Sequence, residues 1–165
     1  MKYQRLLEEN INLFKAYTKL ASIEQIELIE RELAIIIPVS IREFFLLVGN
    51  DYDYIWGGGG GDKISMLDYN FQLSKKILNE CNLSLFRKYF AISAYSGDQF
   101  LFVYLDDGED PPVYRFELEL FYCGEEYISG SSSWGYPKGV SKISDSFSDM
   151  INTVVKQKLE ESNLL

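Results

Sequence analysis

The chain has no histidine, which removes most hydrolase mechanisms, and the paired carboxylates that remain fall in short clusters. Asp51 stands with Asp53, Asp106 and Asp107 with Glu109 and Asp110, and Glu125 with Glu126. Two carboxylates flanking a sugar can cleave a glycosidic bond if a cleft holds the sugar and one acid keeps its proton through a raised pKa. Neighbouring acids in a turn are ordinarily just solvated, and that is the reading adopted for these. Without imidazole no Ser-His-Asp or Cys-His nucleophile, His-ligated metal or imidazole base can be built. Neither Asp51-x-Asp53 nor Asp106-Asp107-Gly108 continues into a D-x-[DN]-x-[DN]-G calcium loop. No enzymatic activity, cofactor or metal site is expected.

Gly57 to Gly61 form the other stretch that invites a chemical reading, since glycine-rich turns before a helix cradle phosphates. The spacing fails. Both G-x-x-x-x-G-K-[ST] and G-x-G-x-x-G, counted from Gly57, meet Asp62 where the last glycine belongs, and Lys63 is followed by Ile64. The run reads as a mobile recognition or connecting loop.

What remains is a binding surface. Tyr52, Tyr54, Trp56, Trp134 and Tyr136 lie in polar or glycine-rich loops beside acids, whereas most other rings fall at core-facing positions. Aromatic anchors with carboxylates around them suit an interface with a basic partner; the same rings could equally fold back under their own loops. The candidate contacts are Asp51, Asp53, Trp56, Asp106, Asp107, Glu109, Asp110 and Trp134. With 25 acidic and 16 basic residues the net charge is −9, which argues against a nucleic-acid or anionic-membrane partner.

The elements that must position these residues begin with the stretch from Ser22 to Asn50. Ser22 and Gln25 have capping-box spacing, and Ile26, Ile29 and Leu33 follow on one helical face. Pro38 disfavours helix at Ile37 and suits the first turn of a second helix. In that second helix Ser40 and Glu43 repeat the capping-box spacing, Ile41, Phe44, Phe45 and Val48 form the apolar stripe, and Gly49 is placed to close it in the left-handed conformation. Upstream, Tyr3, Leu6, Leu7, Ile11, Phe14 and Tyr17 have the spacing of a docking helix.

Downstream, Lys63 to Leu67 reads as a short strand, and Tyr69, Leu73, Ile77 and Cys81 predict a helix over 68–80. Tyr89 to Ala94, Gln99 to Leu105 and Val113 to Leu118 are aromatic and β-branched runs separated by turns, the pattern of an antiparallel meander. Pro111 and Pro112 mark the entrance or edge of the third strand, whose alternation predicts one wet and one buried face. Phe121 to Ile128 gives a weak strand signal, and Phe147, Met150, Ile151, Val154 and Val155 define a last helix behind Ser144 and Ser146.

Length fits one domain of 165 residues, large enough to bury a core without a disulfide or metal. Cys81 and Cys123 read as buried free thiols. Glu8 and Glu9 fall where a signal peptide needs apolar residues, and no apolar run approaches a membrane span, so a cytoplasmic location is expected.

The E-x-x-L of Glu30 to Leu33, then Ile37-Pro38, Ser40 to Phe45 and Gly49-Asn50 resemble the opening of the SUKH superfamily, the Smi/Knr-type proteins. Ala91-Ile92-Ser93 followed by Gly97-Asp98 and a strand ending in Asp106 extends the resemblance, as does Ile143 to Phe147 before the last helix. It implies a single α+β domain, with an antiparallel meander packed by N-terminal helices and a C-terminal helix. It further implies a binding module, either an immunity protein that neutralises a partner toxin or a regulator of cell-wall synthesis. The expected partner is a protein, a basic toxin domain, with the oligomeric state left open.

Overall fold

In the computed structural model, which describes residues 1–14, 21–49, 67–85, 87–95, 97–122 and 137–163, the Ser22 capping box forms as its spacing requires. Gln25 N–H donates to Ser22 Oγ at 3.2 Å and Ser22 N–H donates to Gln25 Oε1 at 2.9 Å. Helix α2 (Ile23–Leu33) buries Ile26 and Ile29 and ends at Ala34, whose φ of 52° is left-handed. The Glu30 carboxylate then spans the joint that follows, accepting from Ile37 N–H at 2.8 Å and Arg42 Nη1 at 2.6 Å. This is what Glu30 contributes to the E-x-x-L motif: it fixes α2 against the start of α3 (Val39–Val48) across Ile37-Pro38.

The second capping box does not form. Pro38 occupies the cap position of α3, the Ser40 hydroxyl is buried without a hydrogen-bond partner, and Glu43 points away from its own helix. Its carboxylate accepts the N–H groups of Lys2 at 2.8 Å, Tyr3 at 2.7 Å and Gln4 at 3.1 Å. Those are donors ahead of α1 (Arg5–Glu9), so Glu43 caps a neighbouring helix in place of its own. Gly49 ends α3 with a φ of 61° and ψ of −128°, positive φ as expected but outside the left-handed helical region. The single N-terminal helix is also revised: Asn10 donates its side-chain amide to Leu6 O at 2.9 Å, and beyond it Ile11–Leu13 form only a 3-10 turn.

Four strands, β1 (Tyr89–Tyr95), β2 (Gln99–Tyr104), β3 (Val113–Glu117) and β4 (Val140–Ser144), pair antiparallel in that order. The first three are the expected meander. β4 escapes a pattern reading because Val-Ser-Lys-Ile-Ser has only two apolar residues and one of them, Ile143, is exposed. Helix α5 (Leu118–Tyr122) replaces the start of the strand expected at Phe121. Leu118 N–H turns to Asp98 O at 2.7 Å, which ends the ladder, and the helical turn lays Phe121 on Phe116 at 6.3 Å between centroids.

Both faces of the sheet are covered. Phe90, Ile92, Val103 and Val113 join a cluster with Ile26, Ile41, Phe44, Phe45, Phe147, Ile151 and Val155 of α2, α3 and α6 (Phe147–Asn163). The opposite face is aromatic: Phe100, Phe102, Tyr104, Tyr114 and Phe116 pack on one another, some stacked and some edge to face, at 5.1 to 5.5 Å between centroids, beneath Ile77 and Leu78 of α4 (Leu67–Glu80) and Cys81 just past it. Leu67, expected to end a strand, opens α4. The buried side of α4 is Leu67, Asn70, Ser74, Ile77 and Leu78, with Cys81 buried just past its end, whereas Tyr69 of the expected stripe is exposed. In β3, Val113 is buried too, so the wet face narrows to Arg115 and Glu117, which pair at 3.2 Å. The Cys81 thiol is free and buried, and burial pushes its pKa up.

The described residues thus form an α+β fold with one sheet and helices on both of its faces. Among the described residues no helix is long and apolar enough to cross a membrane.

Candidate protein-binding site

The acidic turn between β2 and β3 is held by four different parts of the chain. Arg87, just before β1, lies over the Tyr104 ring at 4.2 Å and donates Nε–H to both carboxylate oxygens of Asp106 at 3.0 Å. Its Nη2 also pairs with Asp107. The guanidinium holds the Asp106 carboxyl below its usual range, and the two carboxylates raise the arginine in return.

Glu109 accepts from Lys2 Nζ and from Tyr3 O–H, each at 2.7 Å, and these two lower its pKa, Lys2 foremost. The Glu109 carbonyl accepts from Ser40 N–H at 2.9 Å, satisfying a free donor in the first turn of α3. Asp110 serves α6 in the same way, accepting from Ser148 N–H at 3.0 Å and Ser148 O–H at 2.5 Å. Ser146 Oγ takes the next donor, Asp149 N–H, at 3.1 Å, while Ser144 braces the cap by donating to Ser146 O at 2.7 Å.

The four acids therefore divide by exposure. Asp106 and Glu109 leave 63% and 57% of their side chains exposed, enough to meet a partner, whereas Asp107 at 21% and Asp110 face inward. Sequence reasoning missed the cations that organise the turn, Lys2 and Arg87. They lie 107 and 19 residues from their main acidic partners, and no local spacing reports such pairs. Asp51, Asp53, Trp56 and Trp134 lie outside the described residues, as do the glycine run, Cys123, and the Glu125–Glu126 pair.

At Asp106 and Glu109 the charged form of the carboxylate is favoured. Glycosidic cleavage asks for one acid with a raised pKa, and the shifts at Asp106 and Glu109 both go down. Among the described residues, no group of three or more acidic or cysteine side chains could hold a metal ion.

A four-stranded antiparallel meander between helical layers, among the described residues, defines a single α+β domain. The model of the SMI1 / KNR4 family (SUKH-1) matches residues 20–153, and the chain belongs to that family. Membership fits a protein-binding immunity or regulatory module. No curated protein and no solved structure matches the chain.

Proposed function

We propose that this chain is a non-enzymatic, cytoplasmic immunity protein that binds a toxin domain with a basic surface and inhibits it by covering that surface. The family match across residues 20–153 carries the reading. The net charge of −9 supports it, because nucleases present cations to phosphate and a negative body can occupy the same ground. Asp106 and Glu109 are the exposed acids of the described turn, and Asp51, Asp53, Trp56 and Trp134 complete the proposed contact set.

Co-expression with a candidate toxin from a neighbouring gene tests the reading directly. Rescue from growth arrest is expected, and arrest despite full expression of the intact chain rejects immunity. In pull-downs at a temperature well below the variant's own melting transition, Asp106→Lys should weaken toxin capture and make the remainder less salt-sensitive. Capture indifferent to that reversal removes the turn from the interface.

A further inference from the structure

One depression on this acidic molecule is basic. Between the C-terminal end of α2 and the segment leading from α4 into β1 lies an open groove of about 660 Å³. Ile35, Phe71, Leu83 and Tyr89 supply apolar surface, Lys75, Arg87 and Lys88 supply charge, and no Asp or Glu is among the described residues that line it. In a chain where acids outnumber bases 25 to 16, that segregation of charge marks the groove off from the rest of the surface.

The cations differ in availability. Arg87 is already engaged by Asp106 and Asp107, so it acts mainly as a wall. Lys75 sits 4.1 Å from the Phe71 ring centroid, and neither it nor Lys88 has an ion-pair partner among the described residues. The floor is preformed: Tyr89 packs on Phe71 at 5.6 Å, and its hydroxyl is 3.0 Å from Ser74 Oγ. Part of the negative charge at the nearby helix ends is offset, because Ala34 and Ile35 N–H groups donate to Arg31 O and Glu30 O of α2 and Leu83 N–H donates to Leu78 O.

We infer that the groove docks a short acidic segment of a partner protein, an apolar side chain entering between Ile35, Phe71 and Leu83 while flanking carboxylates pair with Lys75 and Lys88. The volume suits a few side chains. Charge complementarity selects the occupant, since a basic segment would meet Lys75 and Lys88 unpaired. A free phosphate group fits less well: both flanking helices present C-terminal ends here, so no helix N-terminus supplies backbone donors. The site goes beyond the immunity reading, being selective for the charge opposite to that of a basic toxin surface.

Selection of random heptapeptides displayed on phage against the full-length chain tests this. Recovered sequences should pair Asp or Glu with Leu or Phe, and their synthetic peptides should bind less tightly as salt rises. Lys75→Glu with Lys88→Glu should weaken them at least about tenfold at an unchanged thermal midpoint. The milder Lys75→Gln and Lys88→Gln pair, the control for folding, should weaken them in the same direction. The inference is overturned if no acidic sequences are enriched, if binding survives both pairs of substitutions, or if millimolar inorganic phosphate displaces the peptides completely. A positive result leaves toxin rescue free to succeed or fail, so the two readings stand apart.

Discussion

Side chains at individual positions in this protein are organised by capping between distant segments. The S-x-x-E/Q pattern occurs at Ser22–Gln25 and again at Ser40–Glu43, and only the first closes on itself. Pro38 fills the second site, leaving Glu43 to gather the N–H groups of Lys2, Tyr3 and Gln4. Asp110 is the matching case, a turn residue capping α6 from 38 positions away. Asp110→Ala should cost about 1–2 kcal/mol, with faster hydrogen exchange at the Ser148 amide. Exchange unchanged at Ser148 would mean that Ser146 caps the helix alone. A spacing rule can find a cap whose partner is local; it has no access to one supplied by a different segment.

Among the elements, the long amphipathic helices and the meander were legible because apolar periodicity sets their buried faces. α4 and β1 to β3 appear within a residue of the expected bounds, and α2 and α6 begin where their caps place them. α3 begins at Val39 ahead of the expected cap, and α6 runs on to Asn163 beyond the stripe that ended at Val155. The misses have a common cause, tertiary context outweighing local pattern. α5 exists because Phe121 reaches Phe116, and β4 because β3 offers an edge, though its own residues barely alternate. The approach to β4 depends on Gly139, where φ is 79° and an added Cβ would stand 2.9 Å from the Phe116 ring. Gly108, with φ of 95° and nothing within 4 Å, supplies the control for backbone strain alone. In urea unfolding Gly139→Ala should lose about 1–3 kcal/mol more than Gly108→Ala. Equal losses would show that the close approach at Gly139 is readily relieved. Of the candidate contacts, sequence located the acidic turn, but its division into outward and inward acids follows only from Arg87, Lys2 and Ser148.

For the molecule as a whole, the 106–110 turn ties together the N-terminal segment, α3, α6 and the approach to β1. Its charges make stability depend on pH. The folded-state pKa values of Asp106 and Glu109 are depressed, by Arg87 and by Lys2 respectively, so their contribution is complete above the unfolded values of about 3.9 and 4.3. It is lost as pH falls below about 4, through the depressed folded values. Asp106→Asn with Glu109→Gln should therefore lower stability at neutral pH and flatten its fall in acid, read by thermal melts from pH 7 to pH 2. Parallel curves for variant and parent would show that these pairs are solvent-screened to no effect.

The sheet's aliphatic face is closed by Leu7, Ile26 and Phe44 from early in the chain together with Phe147, Ile151 and Val155 from late in it. During translation the first group is made well before its covering helix, and it stays open to water or to a chaperone until α6 clears the ribosome. Completion of this fold therefore waits on α6, however early its first helices form.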